Sequence, residues 1–416
     1  MVDDRTHSWD ADALGKRPRL RPVSATAVPG ESATRIIISD PAQLSPITLS
    51  VSEPVILILS LLDGRHTLEE VRTGFEEQFG QPLARETLDQ LIAGLKTGYY
   101  LEGADFEVFY RGLVDEYRAA PARVSGDGLG PESDEDPAIT FDGILDASRA
   151  AAPDGLVQGI IAPHLDYPRG EPCYGAAYGA IRNRAVPDRI VILGTNHFGR
   201  STSVCATGKD FHTSLGLTQC DTEFLLALEA ACGPLRESEL DHQREHSIEL
   251  QVLWLQHLFG ADQFRIVPVL CPDPCGPTGT KPMDGRGVDL GDFAGRLGQL
   301  IRDDDQDTLL VAGADLSHVG TFFGSQPRLD DDLLERVRTQ DTQALEFVEA
   351  CDPAAFVAYL TETGNPTNIC SAGCIFTLLT ALAPRTATKL GYHQAVHKEM
   401  DNCVTCTAFE FRGADG

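Results

Sequence analysis

Residues Thr308–Gly320, TLLVAGADLSHVG, decide the fold of this chain. The first half is a continuous run of β-forming apolar residues, which is typical of a strand buried on both faces of a helix-covered parallel sheet. The second half turns polar and carries Asp315, Ser317 and His318. Because ligands in open α/β sheets bind beyond the carboxyl ends of the strands, this segment predicts both a fold class and a place for the site.

Strand and helix patterns alternate through the C-terminal two-thirds of the chain. Further apolar runs of the strand type lie at Leu156–Ile161, Arg189–Leu193, Phe264–Leu270 and Val404–Phe411. Helical patterns lie between them at Thr222–Ala231, Ser247–Phe259 and Leu290–Arg302. We therefore predict an α/β domain over residues 140–416, with a mainly parallel central sheet and helices on both faces.

Two more of the predicted strands end in histidine. His164 follows the first strand in GIIAPHLDY, and His197 follows the second in VILGTNHFG. One histidine at a strand end is most often an ordinary core or surface residue, but three such ends predict a shared metal-binding or catalytic pocket. His246 is expected to join it from the first turn of a helix, where it shares a face with Glu249.

Histidines that bind a metal usually need a carboxylate or a carbonyl to hold the ring. Four carboxylates near the predicted pocket are candidates for this role: Asp166, Glu245, Glu249 and Asp315.

The N-terminal third has a different pattern. Residues 1–35 are polar and predict a flexible tail, residues 36–118 predict a small helical module, and the Pro-, Gly-, Ser- and acid-rich residues 119–139 predict a linker. Within the module, Thr67 and Glu70 predict a capping box, and the segment Tyr99–Leu101 predicts a strand. Short helices with a strand pair indicate a winged-helix-like domain.

Composition excludes several classes of function. The formal net charge is −28, which disfavours binding to nucleic acid and to anionic membranes. No signal-like segment and no run of about 18 apolar residues occurs, so we expect a cytoplasmic protein without a membrane span. The 11 cysteines are an odd number in a long chain. They argue against a disulfide framework and leave a thiolate available as a ligand.

Six segments in order, IIAPHLDY, ILGTNHFG, EHSIELQ, IVPVL, GADLSHVG and NICSAGC, resemble the Memo family. Its bacterial members are described as component B of the AmmeMemoRadiSam system. The resemblance implies a fold similar to that of the class III extradiol dioxygenases (LigB-like). It also implies one metal ion held by two histidines and a cysteine, at positions that match His164, His197 and Cys370. Further pocket residues, with a catalytic role implied, match His246, Asp315 and His318.

The N-terminal module has a resemblance of its own. Its segments LSLLDGRHTLEEV and LDQLIAGLKTGYYLEG resemble PqqD-like domains, which hold peptides for radical enzymes. This implies a radical S-adenosylmethionine (SAM) enzyme and AmmeMemoRadiSam system protein A as partners, with a peptide or a small molecule as the ligand.

The chain departs from the Memo pattern at three places. Asp166 stands where the family commonly has glycine, and residues 271–287 are longer than expected and predict a lid or surface loop. Cys374 follows Cys370 by four positions and is the alternative thiolate ligand. If a helix begins there, both thiols share one face.

Several functions fit such a pocket. A ligand set with two histidines and a thiolate favours Fe(II) or copper and a metal-dependent oxidoreductase. Zinc is the alternative metal, and it would support hydrolysis. A third hypothesis is a non-enzymatic partner protein that binds a metal or a peptide. A cysteine nucleophile ranks last because it leaves three histidines without a role.

Overall fold

The computed structural model describes residues 17–28, 35–124, 137–148, 156–324, 328–384 and 386–413. The chain divides into two compact units, residues 1–119 and 120–416. Among the described residues, no helix is long and apolar enough to cross a membrane. All eleven cysteines are free thiols in this structure.

The first unit contains a three-stranded antiparallel sheet that is followed by helices. Its strands are β1 (Ser24–Val28), β2 (Arg35–Ser39) and β3 (Leu49–Ser52). Its helices are α1 (Val55–Leu61), α2 (Leu68–Phe79), α3 (Arg85–Thr97) and α4 (Ala104–Ala119). The capping box is confirmed, since the Thr67 side chain accepts from the backbone of Glu70 and the Glu70 carboxylate accepts from the backbone of Thr67.

Two predictions for this unit are corrected. The predicted tail includes β1, which pairs with β2 over its whole length, so residues 24–28 are part of the sheet. The predicted strand Tyr99–Leu101 is a turn, because Tyr99 has a left-handed backbone with φ 55°. Leu101 forms only an isolated bridge with Leu20.

The second unit is built on an 11-stranded sheet within the described residues. Its strands are β4 (Ala122–Val124), β5 (Gly159–Ala162), β6 (Arg189–Thr195), β7 (Cys205–Ala206), β8 (Asp210–Thr213), β9 (Gly216–Cys220), β10 (Arg265–Cys271), β11 (Thr308–Gly313), β12 (Asp315–Val319), β13 (Thr386–His397) and β14 (Asn402–Arg412). They follow the order β12-β14-β5-β11-β6-β10-β9-β8-β4, with β13 beside β14 and β7 beside β10.

The sheet is mixed, which corrects the prediction of a mainly parallel one. Strands β5, β11, β6, β10 and β9 pair in parallel. The final predicted strand is present as β14, but it runs antiparallel to β5, β12 and β13. An apolar run predicts that a strand is buried, and it carries no information about the direction of the strand.

Helices cover both faces of this sheet, as predicted. They are α5 (Pro137–Ala147), α6 (Tyr167–Ile181), α7 (Thr222–Cys232), α8 (His246–Phe259), α9 (Leu290–Asp303), α10 (Asp331–Glu349), α11 (Pro353–Thr363) and α12 (Ala372–Leu382). Successive side chains of β6 alternate between two cores: Ile190 and Ile192 pack with α6 and α8, while Val191 and Leu193 pack with α7, α9 and α12.

The linker prediction is wrong at both of its ends. Residues 122–124 form β4, which pairs in parallel with β8, and helix α5 already begins at Pro137. Residues 125–136 lie outside the described residues.

Candidate metal centre

Three histidines meet at the carboxyl end of the central strands. His164 lies just beyond β5, His197 lies just beyond β6, and His246 is the first residue of α8. Their ligand nitrogens all lie within 4.8 Å of one another. Together they form a group that could hold a single metal ion.

Two glycines allow α8 to bring His246 to this place. A Cβ on Gly194 would lie 2.5 Å from Ser247 Oγ, and a Cβ on Gly313 would lie 2.5 Å from the Ser247 carbonyl oxygen. No side chain fits at such distances, so the first turn of α8 lies directly on the ends of β6 and β11. Ser247 Oγ also accepts a 3.0 Å hydrogen bond from the Thr195 backbone N–H.

Each of the three rings has a possible acceptor near Nδ1. His164 Nδ1 lies 2.9 Å from the Gly313 carbonyl oxygen, and His197 Nδ1 lies 3.0 Å from Glu245 Oε1. His246 Nδ1 is 3.4 Å from the same carboxylate oxygen. Acceptors at these positions favour the Nδ1–H tautomer, which leaves the Nε2 lone pairs as the ligand atoms.

Glu245 is the carboxylate that organises the group. Its side chain is 1% exposed, and it accepts hydrogen bonds from the backbone N–H groups of His197 and Ser247, at 2.8 and 2.9 Å. Burial raises its pKa, but the hydrogen bond and charge of His197 and the charge of His246 outweigh burial and lower the pKa to about 2. The carboxylate therefore stays ionised beside the histidines.

The other predicted carboxylates separate into two groups. Asp315 is in the pocket, because its Oδ1 accepts from the His164 backbone N–H at 3.0 Å. Asp166 instead caps α6 and pairs with Arg169, and Glu249 pairs with an arginine outside the histidine group.

Cys370 stands beside the histidine group. Its Sγ lies 3.5 Å from His164 Nε2 and 3.2 Å from Ser371 Oγ. Cys374 is fully buried, contacts Thr195 Oγ1 at 3.5 Å, and has a pKa that burial and Cys271 raise well above its usual range. Helix α12 begins after Cys370, so the two thiols do not lie on one helix face. Cys370 is therefore the thiol that contacts the histidine group.

Asp315 and His318 are two further titratable side chains of this part of the fold. Burial raises the pKa of Asp315 to about 7, and its Oδ2 is 3.6 Å from His164 Nε2. Burial lowers the pKa of His318 to about 4, and its Nδ1 lies 3.0 Å from the Leu316 carbonyl oxygen. A carboxyl group that titrates near neutral pH can both give and take a proton.

Arg123 supports this centre from the region that the sequence assigns to a linker. The residue is 4% exposed, and it donates hydrogen bonds of 2.6 Å to the carbonyl oxygens of His242 and Glu245 and to Glu249 Oε2. It thereby fixes the corner from which Glu245 and His246 project. Only the alternation Ala-Arg-Val hinted at a strand here.

We expect Arg123→Met to lower the free energy of unfolding by about 2–4 kcal/mol, since it leaves buried carbonyls and a carboxylate without their donor. Denaturant titration measures this loss. Arg123→Lys keeps the charge but not the fork of donors, so it should fall between wild type and Arg123→Met. Equal free energies for all three proteins would show that β4 does not hold the corner.

The metal-free protein should lose stability as the pH falls from about 6.5 to about 4. Burial lowers the pKa of His164, of His242 to about 3 and of His318 to about 4, whereas each unfolded histidine titrates near 6.5. Between pH 6.5 and 4 the folded chain gains one proton on Asp315, whose pKa burial raises to about 7. The unfolded chain gains more protons on the three histidines, and this difference favours unfolding.

The raised pKa of His197 cannot cause this loss. Burial lowers that pKa, but hydrogen bonds to Cys370 and Glu245 raise it to about 10, so its contribution is full below 6.5 and is lost as the pH rises through 10. The contribution of Glu245 is lost only below about 4.5, its unfolded value. Thermal melts in EDTA between pH 8 and pH 4 test the prediction, and a constant midpoint would refute it.

The known proteins to which this chain is similar belong to one family. Residues 144–408 match the family model described as Memo-like protein. A MEMO1 family protein of Thermus thermophilus, TTHA0924, is 30% identical over 335 residues, which cover 80% of this chain and 94% of the relative. A MEMO1 family protein of Aquifex aeolicus is 25% identical over 302 residues, 71% of this chain and 75% of the relative.

Proposed function

This chain belongs to the Memo family, and we propose that it is a metal-dependent enzyme of the oxidoreductase type that uses a single Fe(II) or copper ion. The observation that best supports the proposal is the group of His164, His197 and His246, whose ligand nitrogens lie within 4.8 Å of one another. Their Nδ1 atoms already face acceptors, so the rings need little reorganisation to bind an ion.

We assign His164, His197 and Cys370 as the metal ligands. The 3.5 Å contact between Cys370 Sγ and His164 Nε2 supports the inclusion of the thiolate. A soft thiolate beside imidazoles favours Fe(II) or copper, and such an ion would supply one-electron chemistry when bound. His246 is close enough to serve as a further ligand or to orient a bound substrate.

Proton transfer is assigned to two residues of the pocket. Asp315, with its pKa near 7, would hold or release a proton at Oδ2. His318, with its pKa lowered to about 4, would be neutral at physiological pH and would accept a proton at Nε2, because Nδ1 faces a carbonyl.

We also propose, on the resemblance described above, a fold like that of the class III extradiol dioxygenases. The first unit would be a winged-helix-like, PqqD-like module that holds a peptide for a radical SAM enzyme of the AmmeMemoRadiSam system, with system protein A as a further partner in the cytoplasm. The alignment with TTHA0924 covers 335 residues, which is more than the second unit contains, so it also includes part of the first unit. This supports an architecture of two units in both proteins.

Elemental analysis of the full chain after anaerobic purification tests the function. The proposal expects about one iron or copper ion per chain and metal-dependent consumption of O₂. One zinc per chain would favour a hydrolase instead, since zinc accepts the same ligand types. A chain that contains no metal and takes up none when offered would contradict both functions and would leave a peptide-binding partner protein.

A further inference from the structure

A cavity of about 250 Å³ lies beside the candidate metal centre. Cys370 lines it, together with Thr195 and Asn196, which immediately precede His197. The volume is below the range of about 300–1,000 Å³ that is usual for pockets of drug-sized ligands. The cavity therefore suits a small molecule, one part of which would lie next to the Cys370 thiol.

The outer wall of this cavity is the segment after β10 that is longer than the Memo pattern leads us to expect. Residues 271–283 contribute most of the lining. Thr280 Oγ1 donates to Asp289 Oδ2 at 3.0 Å, and the Thr280 carbonyl accepts from the Leu290 N–H at 2.9 Å, which ties the wall to the start of α9. Thr202 Oγ1 donates to Asp284 Oδ1 at 3.2 Å and ties it to the loop after β6. These hydrogen bonds hold the wall in place beside the candidate metal centre.

The lining combines polar and apolar groups and carries a single cation. Ser201, Thr202 and Thr278 contribute to it, and Lys281 is its only lysine or arginine. Among the described residues, no carboxylate forms an ion pair with the Lys281 ammonium. Lys281 is an exposed residue, so its ammonium group is accessible to an anionic ligand that enters from solvent.

We propose that this cavity is the substrate subsite and that the substrate is a small polar monocarboxylate whose carboxylate group pairs with Lys281. The inference rests on the proposed function, since it supplies the substrate class for the same centre. The hydroxyl groups of the lining would bind hydroxyl or carbonyl oxygens of the ligand. The end of the ligand remote from Lys281 would approach Cys370.

The surroundings favour a carboxylate over a phosphate. Phosphate sites commonly present an arginine fork or several converging N–H donors, whereas one lysine serves this cavity. Asp273 also lines it, and its Oδ1 accepts from the Cys275 N–H at 2.9 Å. The lining thus offers one cation, Lys281, beside one anion, Asp273. Its charge suits a ligand with one negative charge better than a ligand with two.

Saturation-transfer NMR on the full chain tests the proposal with glycerate, with glyceramide as its neutral isostere, and with inorganic phosphate. Glycerate should bind, and glyceramide should bind at least about tenfold more weakly, as expected when a charge-assisted hydrogen bond is lost. Lys281→Met should weaken glycerate binding by about tenfold or more, while Lys281→Arg keeps the charge and should stay within about threefold. Lys389→Met, which removes a lysine that pairs with Glu349, is the matched control and should bind like wild type.

Each other outcome overturns the proposal. Equal binding of acid and amide, full binding by Lys281→Met, or no binding of glycerate removes Lys281 as a carboxylate partner, and preferential binding of phosphate changes the ligand class. Metal content is measured on the same samples. Glycerate binding in a protein that never takes up metal sinks the proposed function alone, and metal uptake without glycerate binding sinks this inference alone.

Discussion

His164→Ala should abolish stoichiometric metal binding by the full chain. His164 belongs to the group of three histidines, and its Nε2 contacts Cys370 Sγ. The replacement therefore removes one ligand and the neighbour that positions a second. Losing one ligand of three or four leaves too few protein atoms to retain an ion through gel filtration. Metal content after gel filtration measures the effect.

The matched control is His212→Ala. His212 is an exposed residue of β8 and does not belong to the histidine group, so this variant should retain the metal content of wild type. Far-UV circular dichroism of His164→Ala should match wild type if the fold survives. Wild-type metal content in a folded His164→Ala protein would remove His164 from the ligand set.

Glu245→Gln should weaken metal binding by about 10- to 100-fold, the range found when partners that orient a ligand are lost. The carboxylate lies 3.0 Å from His197 Nδ1 and 3.4 Å from His246 Nδ1, so one neutral amide removes charge from beside two imidazoles. The amide keeps the size of the side chain, and we therefore expect a larger effect on affinity than on stability. Competition with a chelator of known affinity measures it.

Glu229→Gln provides the comparison for Glu245→Gln. Glu229 lies on α7 and forms its ion pair with Arg236 rather than with a histidine. Its replacement should leave metal affinity at the wild-type value. If the two variants bind metal alike, Glu245 does not orient the ligands.

Much of the second unit could be predicted, because its strands are long apolar runs. The predicted and observed β6 begin at the same residue, Arg189, and the predicted and observed α8 end at the same residue, Phe259. Strand direction could not be predicted, since β14 has the same apolar character as the parallel strands and runs the opposite way. The short strand β4 could not be predicted, because the residues on both sides of it have the composition of a linker.

The centre was predictable where chemistry follows directly on a strand. His164 and His197 follow buried strands, so both were expected to meet. Glu245 could be named only as one of four candidates, because the distance from its carboxylate to His197 depends on the packing of α8. Arg123 could not be found at all: its partners are 119 to 126 positions away in the chain, and no local pattern encodes such contacts.

The spacing of residues in the sequence also does not show which of His246 and Cys370 binds the metal. The family resemblance assigns the thiol to the metal. In the structure, however, it is His246 whose ligand nitrogen lies within 4.8 Å of those of His164 and His197. Both side chains reach the same volume, so only a measurement on the bound ion separates a ligand from a neighbour.

X-ray absorption spectroscopy of the full chain, loaded with zinc as a probe ion, tests the assignment of His164, His197 and Cys370 as the metal ligands. We expect at least two imidazole nitrogens at about 2.0–2.1 Å and one sulfur at about 2.3 Å. The sulfur signal should disappear in Cys370→Ser and persist in Cys374→Ser. An ion surrounded only by oxygen ligands, or a spectrum that is the same in wild type and His164→Ala, would contradict it.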